Sequence, residues 1–346
     1  MSIPSTQKAL QLEKPAGDPK RGQRNVAAVR YVPVPKPQTG MVLVKAMLGA
    51  YPGLLYKNST FACNGAGVIV QGGLPDSAKG HPDGIVILVP TRGWESDPEG
   101  PEAELPNAKN KQNKLESDHL VAAPKHLDVV HSAALPYGGI TAFRALFTKG
   151  QLKAGQILLL TGVGGGVAQL ALQFAVAADA NVYVTGGSQA KVDRAVKNLG
   201  AKRGAVSKDK DCPKQISKQL PSGKLYIDIV VDSAGGAISG QAMQAGLKVG
   251  GKLVCFSMTA DPKNPFTMRE VLKNVDVLGS TMGSKEEFRE CIRFVEKHKL
   301  VPTIDTILEG LENAHKGFPL LQDADKRSGG KVIIRVAPAD KRTSKL

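Results

Sequence analysis

Residues 157–180, ILLLTGVGGGVAQLALQFAVAADA, admit few folds. The apolar run Ile157-Leu158-Leu159-Leu160 is short enough to be a strand buried on both faces. Gly162, Gly164, Gly165 and Gly166 follow it. Val167, Leu170, Ala171, Phe174, Ala175 and Ala178 then recur at helical spacing. Strand, glycine turn and helix together present free backbone N–H groups at a helix N-terminus, where a pyrophosphate can approach closely. The spacing departs from a strict G-x-G-x-x-G, because the sixth position from Gly162 is Val167. A tight strand-to-helix turn also needs glycine, so the cluster alone leaves both readings open.

The following residues decide in favour of a nucleotide fold. Strands are expected over 181–185, 203–207, 227–232, 252–257 and 275–280. Helices are expected over 189–199, 211–220, 238–247 and 268–273. With the opening strand this makes six strands with intervening helices, an α/β protein built on a doubly wound parallel sheet. Before it, 132–150 reads as helical, with Thr141 capping its second half and Gly150 stopping it.

The rest of the chain is β-rich. Strands are expected at 26–31, 41–46, after 61 and over 84–90. The Pro33, Pro35, Pro37 alternation forces an extended segment. Residues 91–119 are polar and proline-punctuated and read as a long surface loop, with Trp94 anchoring its start. In the tail, 285–298 and 311–322 are expected helices and 331–336 a closing strand. A chain that leaves a β unit, builds a nucleotide domain and returns makes two domains with a cleft. The expected division is 132–282 for the nucleotide domain, with 1–131 and 283–346 in the other.

At 346 residues the chain can bury two cores. No apolar run approaches the roughly 20 residues that span a bilayer, and residues 1–40 are too polar for a signal peptide. The four cysteines, Cys63, Cys212, Cys255 and Cys291, are scattered without a C-x-x-C. That pattern argues against a zinc knuckle or a disulfide framework and for a reducing, cytoplasmic setting. The net charge of +15 admits a nucleic-acid partner, but aromatics at 5% leave few stacking platforms. A generally basic surface with a phosphate-binding site is the preferred reading.

An NAD site usually offers an acid to the ribose 2′-OH where the second strand ends. Here that strand ends in Thr185-Gly186-Gly187-Ser188, followed by Lys191 and Arg194. Residues 191–224 hold ten Lys or Arg against three Asp. This cationic edge suits a 2′-phosphate, hence NADP(H) over NAD(H). The alternative is that Lys191 and Arg194 are ordinary solvated helix residues.

LPYGGITAFRAL, GQILLLTGVGGGVAQLALQFA, VYVTGGSQAKV, NLGAK, VDSAGG, LKVGGKLVCFSMT and GKVIIRV, in that order, resemble the medium-chain dehydrogenase/reductase superfamily, in its zinc-independent, quinone oxidoreductase-like branch. The resemblance covers nearly everything from Ser132 onward and, more loosely, 41–92. It implies a GroES-like β domain, here partly truncated, joined to a Rossmann domain. Such relatives are often dimers and pass hydride from NADPH to quinones or α,β-unsaturated carbonyls. Carried over, Gly162, Gly164, Gly165, Gly166, Val167 and Ala168 hold the pyrophosphate. Gly187, Ser188 and Lys191 hold the 2′-phosphate. Ala234 and Gly235 line the adenosine-ribose path, Phe256, Ser257 and Met258 border the nicotinamide, and Thr141 lies near the nicotinamide ribose. For each of these, backbone geometry or core packing is the competing explanation.

Zinc-dependent relatives carry G-H-E where this chain has Ala62-Cys63-Asn64. A catalytic zinc needs three convergent protein ligands, and no second or third is visible, so no metal is expected. Relatives also place a polar pocket loop after the strand matching 42–46; here only Met47-Leu48-Gly49 precedes Ala50-Tyr51-Pro52. A strand expected before 119–124 is replaced by Asn110-Lys111-Gln112-Asn113-Lys114-Leu115, and a tyrosine near the 2′-phosphate by Ser207. Tyr51, Tyr56 and Tyr137 remain as weak candidate donors to a carbonyl. The expected function is an NADPH-dependent quinone or enone reductase. The alternative is a catalytically weakened nucleotide sensor on the same fold.

Overall fold

The structure is a computed structural model. It describes residues 6–13, 26–33, 41–49, 65–71, 76, 79–91, 93–102, 115–116, 119–259, 261 and 263–336. The chain divides into two units. One comprises Met1–Tyr137, Ser284–Lys326 and Lys331–Leu346; the other comprises Gly138–Gly283 and Arg327–Gly330. That last short segment is one the sequence alone assigns to the first unit.

The first unit begins with β1 (Thr6–Glu13) and β2 (Val26–Pro33), an antiparallel pair. β3 (Met41–Gly49), β4 (Gly65–Gln71), β5 (Ile85–Leu88), β6 (Leu115–Glu116) and β7 (Leu120–Ala122) follow. β3 runs on through Met47, Leu48 and Gly49, which pair with β4 and with the last strand of the chain, so these residues are ladder rather than connection. β6 answers the strand expected to be missing: it is reduced to two residues, which pair with Met41 and Val42. Trp94 is buried and its indole N–H donates to the Asp97 carbonyl, at 2.7 Å, which anchors the loop that starts there. α1 (Val129–Ala133) closes this part, its first turn capped by the Asp128 carboxylate.

α2 (Pro136–Phe143) carries the chain from the first unit into the second at Gly138 and runs without a break into a π-helix over Arg144–Lys149. Thr141 lies inside α2, not at a helix start, so it is not an N-cap; Gly138 and Gly139 before it are helical. Gly150 does stop the run. A Cβ there would stand 2.7 Å and 2.8 Å from the Leu146 and Ala145 carbonyl oxygens.

Six strands then form one parallel sheet: β8 (Ile157–Leu160), β9 (Asn181–Gly186), β10 (Arg203–Val206), β11 (Ile227–Asp232), β12 (Leu247–Cys255) and β13 (Asp276–Gly279). Their order is β10-β9-β8-β11-β12-β13, every neighbouring pair parallel. This is the doubly wound Rossmann order, whose switch point lies between β8 and β11 and whose ligands sit beyond the strands' carboxyl ends. The central strands are apolar because both faces are covered: Leu158, Leu160, Val230 and Val231 have no exposed surface. Each such side chain contributes about 1.5–3 kcal/mol by leaving water. The connecting helices are α3 (Gly166–Ala177), α4 (Gln189–Leu199), α5 (Cys212–Gln219), α6 (Ile238–Ala245) and α7 (Met268–Leu272).

The chain returns to the first unit through α8 (Lys285–Lys297), which starts with a capping box of Ser284 and Glu287. β14 (Ile304–Glu309), which the sequence reading lacks, pairs parallel with β15 (Lys331–Arg335). Between them the expected 311–322 helix divides into a 3-10 turn, Leu311–Lys316, and α9 (Gly317–Gln322). In this unit the second sheet runs β14-β15-β3-β4-β5-β7, with β6 attached to β3.

Candidate functional site

Four segments leave the carboxyl edge of the parallel sheet, following β8, β9, β11 and β12. Backbone hydrogen bonds continue the ladder just past the strand ends. The Thr161 N–H donates to the Val231 carbonyl at 3.0 Å, Val163 to Thr185 at 2.9 Å, and Phe256 to Asp232 at 3.0 Å. These bonds fix where each segment turns away, so the four turns start from one rigid edge.

The turn after β8 needs its glycines. Gly162 has φ +66, and a Cβ on it would run into the Ser233 hydroxyl. The Gly165 N–H donates to the Gly162 carbonyl at 2.9 Å, which closes the turn. Gly165 is then the N-cap of α3 and has no side chain to cover the first-turn N–H groups. The N–H groups of Gly166, Val167 and Ala168 therefore point out of a helix N-terminus, an arrangement that favours an anion.

The turn after β9 supplies a cation. Gly187 has open space where a Cβ would be, and Ser188 is the N-cap of α4 without using its hydroxyl as a cap. From α4 the half-buried Lys191 extends across the first turn. Its Cδ, Cε and Nζ lie 3.0, 3.4 and 3.6 Å from the point a Cβ on Gly164 would occupy. The first acid after β9 is Asp193, whose carboxylate accepts from the Gln189 amide at 2.8 Å. Arg194, next on the same helix, donates to the Ser328 hydroxyl at 3.0 Å.

The turns after β11 and β12 are tied together. Gly235 has φ +76, and a Cβ there would meet the Asp261 carbonyl and the Met258 side chain. The Asp261 N–H donates to the Ala234 carbonyl at 3.2 Å, and the Thr259 hydroxyl to the Ser233 carbonyl at 3.0 Å. Phe256 and Ser257 are half-buried, and Met258 is exposed. Thr141 is a buried residue of α2 in the same unit. Tyr137 belongs to the other unit and is half-buried. Tyr51, Tyr56 and Cys63 lie outside the described residues.

Two features carry no signal that sequence reasoning used. One is Arg327–Gly330: Gly330 forms a parallel bridge with Gly165, and Gly329 packs so closely on the Gln169 amide that a Cβ would overlap it. The visible hint was the glycine pair before the closing strand. The other is Asp232, a fully buried carboxylate at the end of β11. An acid after an apolar run reads as a strand terminus and no more.

Among the described residues no three His, Cys, Asp or Glu side chains converge. Cys255 is pushed up to about 11 by burial and then by the Asp232 charge, and burial alone drives the fully enclosed Cys291 thiol far upward. Both shifts favour the protonated thiol over the thiolate. Among the described residues no helix is long and apolar enough to cross a membrane.

Residues 166–297 match the zinc-binding dehydrogenase family. The chain is 39% identical over 309 residues to the zinc-type alcohol dehydrogenase-like protein YogA of Leptosphaeria maculans, covering 83% of this chain and 84% of that one. It is 25% identical to a solved NAD-dependent alcohol dehydrogenase, with a TM-score of 0.77, covering 96% of this chain and 100% of that one. The 2-octenoyl-CoA carboxylase reductase CinF shares the fold at 19% identity and a TM-score of 0.80, over 98% of this chain and 90% of that one. With the Rossmann strand order and the glycine turn in place, the chain belongs to the medium-chain dehydrogenase/reductase superfamily of oxidoreductases.

Proposed function

We propose that this oxidoreductase reduces quinones or α,β-unsaturated carbonyls with NADPH and without zinc. The single observation that carries the cofactor choice is Lys191 extended over Gly164, next to a β9 terminus without an acid. A carboxylate at that terminus would favour the 2′-OH of NAD(H); an ammonium favours a 2′-phosphate. The glycine turn fits a dinucleotide, since it delivers the N–H groups of Gly166, Val167 and Ala168 at a helix N-terminus that no side-chain cap covers.

In this reading residues 162–168 form the turn that holds the pyrophosphate, with the N–H groups of Gly166, Val167 and Ala168 directed at it, and Gly187, Ser188 and Lys191 hold the 2′-phosphate. Ala234 and Gly235 border the adenosine-ribose path, Phe256, Ser257 and Met258 flank the nicotinamide, and Thr141 stands near its ribose. The reduced nicotinamide supplies the hydride when bound. The protein's share is to fix the ring and exclude water, the two means by which such a transfer proceeds without an essential acid or base. Zinc independence rests on Ala62-Cys63-Asn64 standing where zinc-dependent relatives carry G-H-E. A cytoplasmic homodimer acting on a small molecule completes the proposal.

A second reading, a nucleotide sensor with weakened catalysis, is favoured by β3. It runs as strand through Met47, Leu48 and Gly49, leaving no room there for the polar pocket loop expected of a reductase. NADPH oxidation with a panel of quinones and enones, run beside NADPH binding by fluorescence, separates the two. Turnover supports the reductase; binding without turnover supports the sensor; absence of binding removes both.

A further inference from the structure

Asp232 hydrogen-bonds to the turns on both sides of the cradle. Its side chain has no exposed surface. One carboxylate oxygen accepts from the Thr161 hydroxyl at 2.5 Å and the Ala234 N–H at 3.2 Å; the other accepts from the Gly235 N–H at 2.8 Å. Its backbone carbonyl accepts from the Phe256 N–H at 3.0 Å. Thr161 then spends its hydroxyl lone pair on the Ser233 N–H at 3.1 Å, and the Ser233 hydroxyl donates back to the Thr161 carbonyl at 3.3 Å. One residue thus binds the starts of three turns: after β8, after β11 and after β12.

We infer that Asp232, acting through Thr161, is a positioning residue for the dinucleotide: it sets the distance between the pyrophosphate turn and the turn beside the ribose and nicotinamide. The inference rests on the dinucleotide site proposed above. Gly162 and Gly235 both have positive φ, a region that glycine enters and leaves without strain, so the hydrogen-bond partners of each turn must fix its geometry. The buried carboxylate supplies that constraint. Replacing Thr161 by valine keeps the shape and removes the hydroxyl, so one carboxylate lone pair and the Ser233 N–H lose their partner inside the protein. The first turn can then shift relative to the second. The loss is independent of the 2′-phosphate, so it applies equally to NADPH and NADH, unlike a change at Lys191.

The test measures Kd for NADPH and NADH by fluorescence titration on the full chain, with urea midpoints recorded alongside. Thr161→Val should weaken both cofactors by about ten- to hundredfold, whereas Thr161→Ser, which keeps the hydroxyl, should stay within about twofold of the wild type. Asp232→Asn should resemble Thr161→Val; should it fail to fold, the two threonine variants decide the matter. A residue that only stabilises the core would lower the urea midpoint and leave both Kd values unchanged in folded protein, and that result overturns the inference. Wild-type protein that binds neither cofactor overturns the dinucleotide site itself, a distinct outcome.

Discussion

The side chain of Lys191 lies against Gly164, its Cδ 3.0 Å from where a Cβ would sit. The glycine here serves the lysine as much as the turn. Gly164 is not among the positive-φ glycines, so Gly164→Ala costs little backbone strain. The new methyl should instead push the lysine stem aside. We expect a urea midpoint close to that of the wild type and an NADPH Kd raised about tenfold, with a smaller change for NADH. Unchanged NADPH affinity would mean that the lysine's path over the turn is incidental.

At the opposite end of the sheet, Asp228 is buried and accepts from Lys248 at 2.7 Å, Lys224 at 3.0 Å and the Ile157 N–H at 2.8 Å. Burial by itself would raise this carboxyl. The hydrogen bonds from Lys248, Ile157 and Lys224, with the Lys248 charge, outweigh it and hold the carboxyl below the usual 3.8. A depressed carboxyl contributes stability above its unfolded value and loses that contribution as pH falls through the folded one. Asp228→Asn should therefore cost about 1–3 kcal/mol at neutral pH, with both lysines partly solvated. In urea titrations the gap to the wild type should narrow as pH drops below 3.8. A gap that does not change with pH would contradict the assignment.

Burial raises the Cys212 thiol, with Asp209 adding to the effect, and raises Cys255 and Cys291 as described above. At pH 8 the native protein should alkylate at these three positions about a hundredfold more slowly than urea-unfolded protein. Peptide mapping after timed iodoacetamide treatment reads this directly. Rapid native labelling of Cys291, which has no exposed surface, would show that α8 opens readily.

The Rossmann unit was legible because its signals are redundant. Ile157–Leu160 is apolar throughout and Ile227–Asp232 is apolar but for its two aspartates, and both proved to be buried at every residue. The first unit was harder to read. β14, Ile304–Glu309, is half-exposed along its length, so no apolar run announces it. The 311–322 helix was read as continuous, yet Gly317 and Pro319 divide it, since proline belongs in a first helical turn. At the site, the glycines were visible from composition and spacing. Asp232 was not, because two of its partners, Thr161 and Phe256, are brought to it only by the strand order β8-β11-β12.

The central claim is that Lys191 reads a 2′-phosphate at this cradle. The most direct test is a pair of fluorescence titrations, NADPH and NADH, on wild-type protein and on Lys191→Ala. The account predicts tighter NADPH binding in the wild type. It further predicts a loss of about ten- to hundredfold for NADPH in the variant, with NADH changed by less than about threefold. Equal losses for both cofactors, or a wild type that prefers NADH, would contradict it.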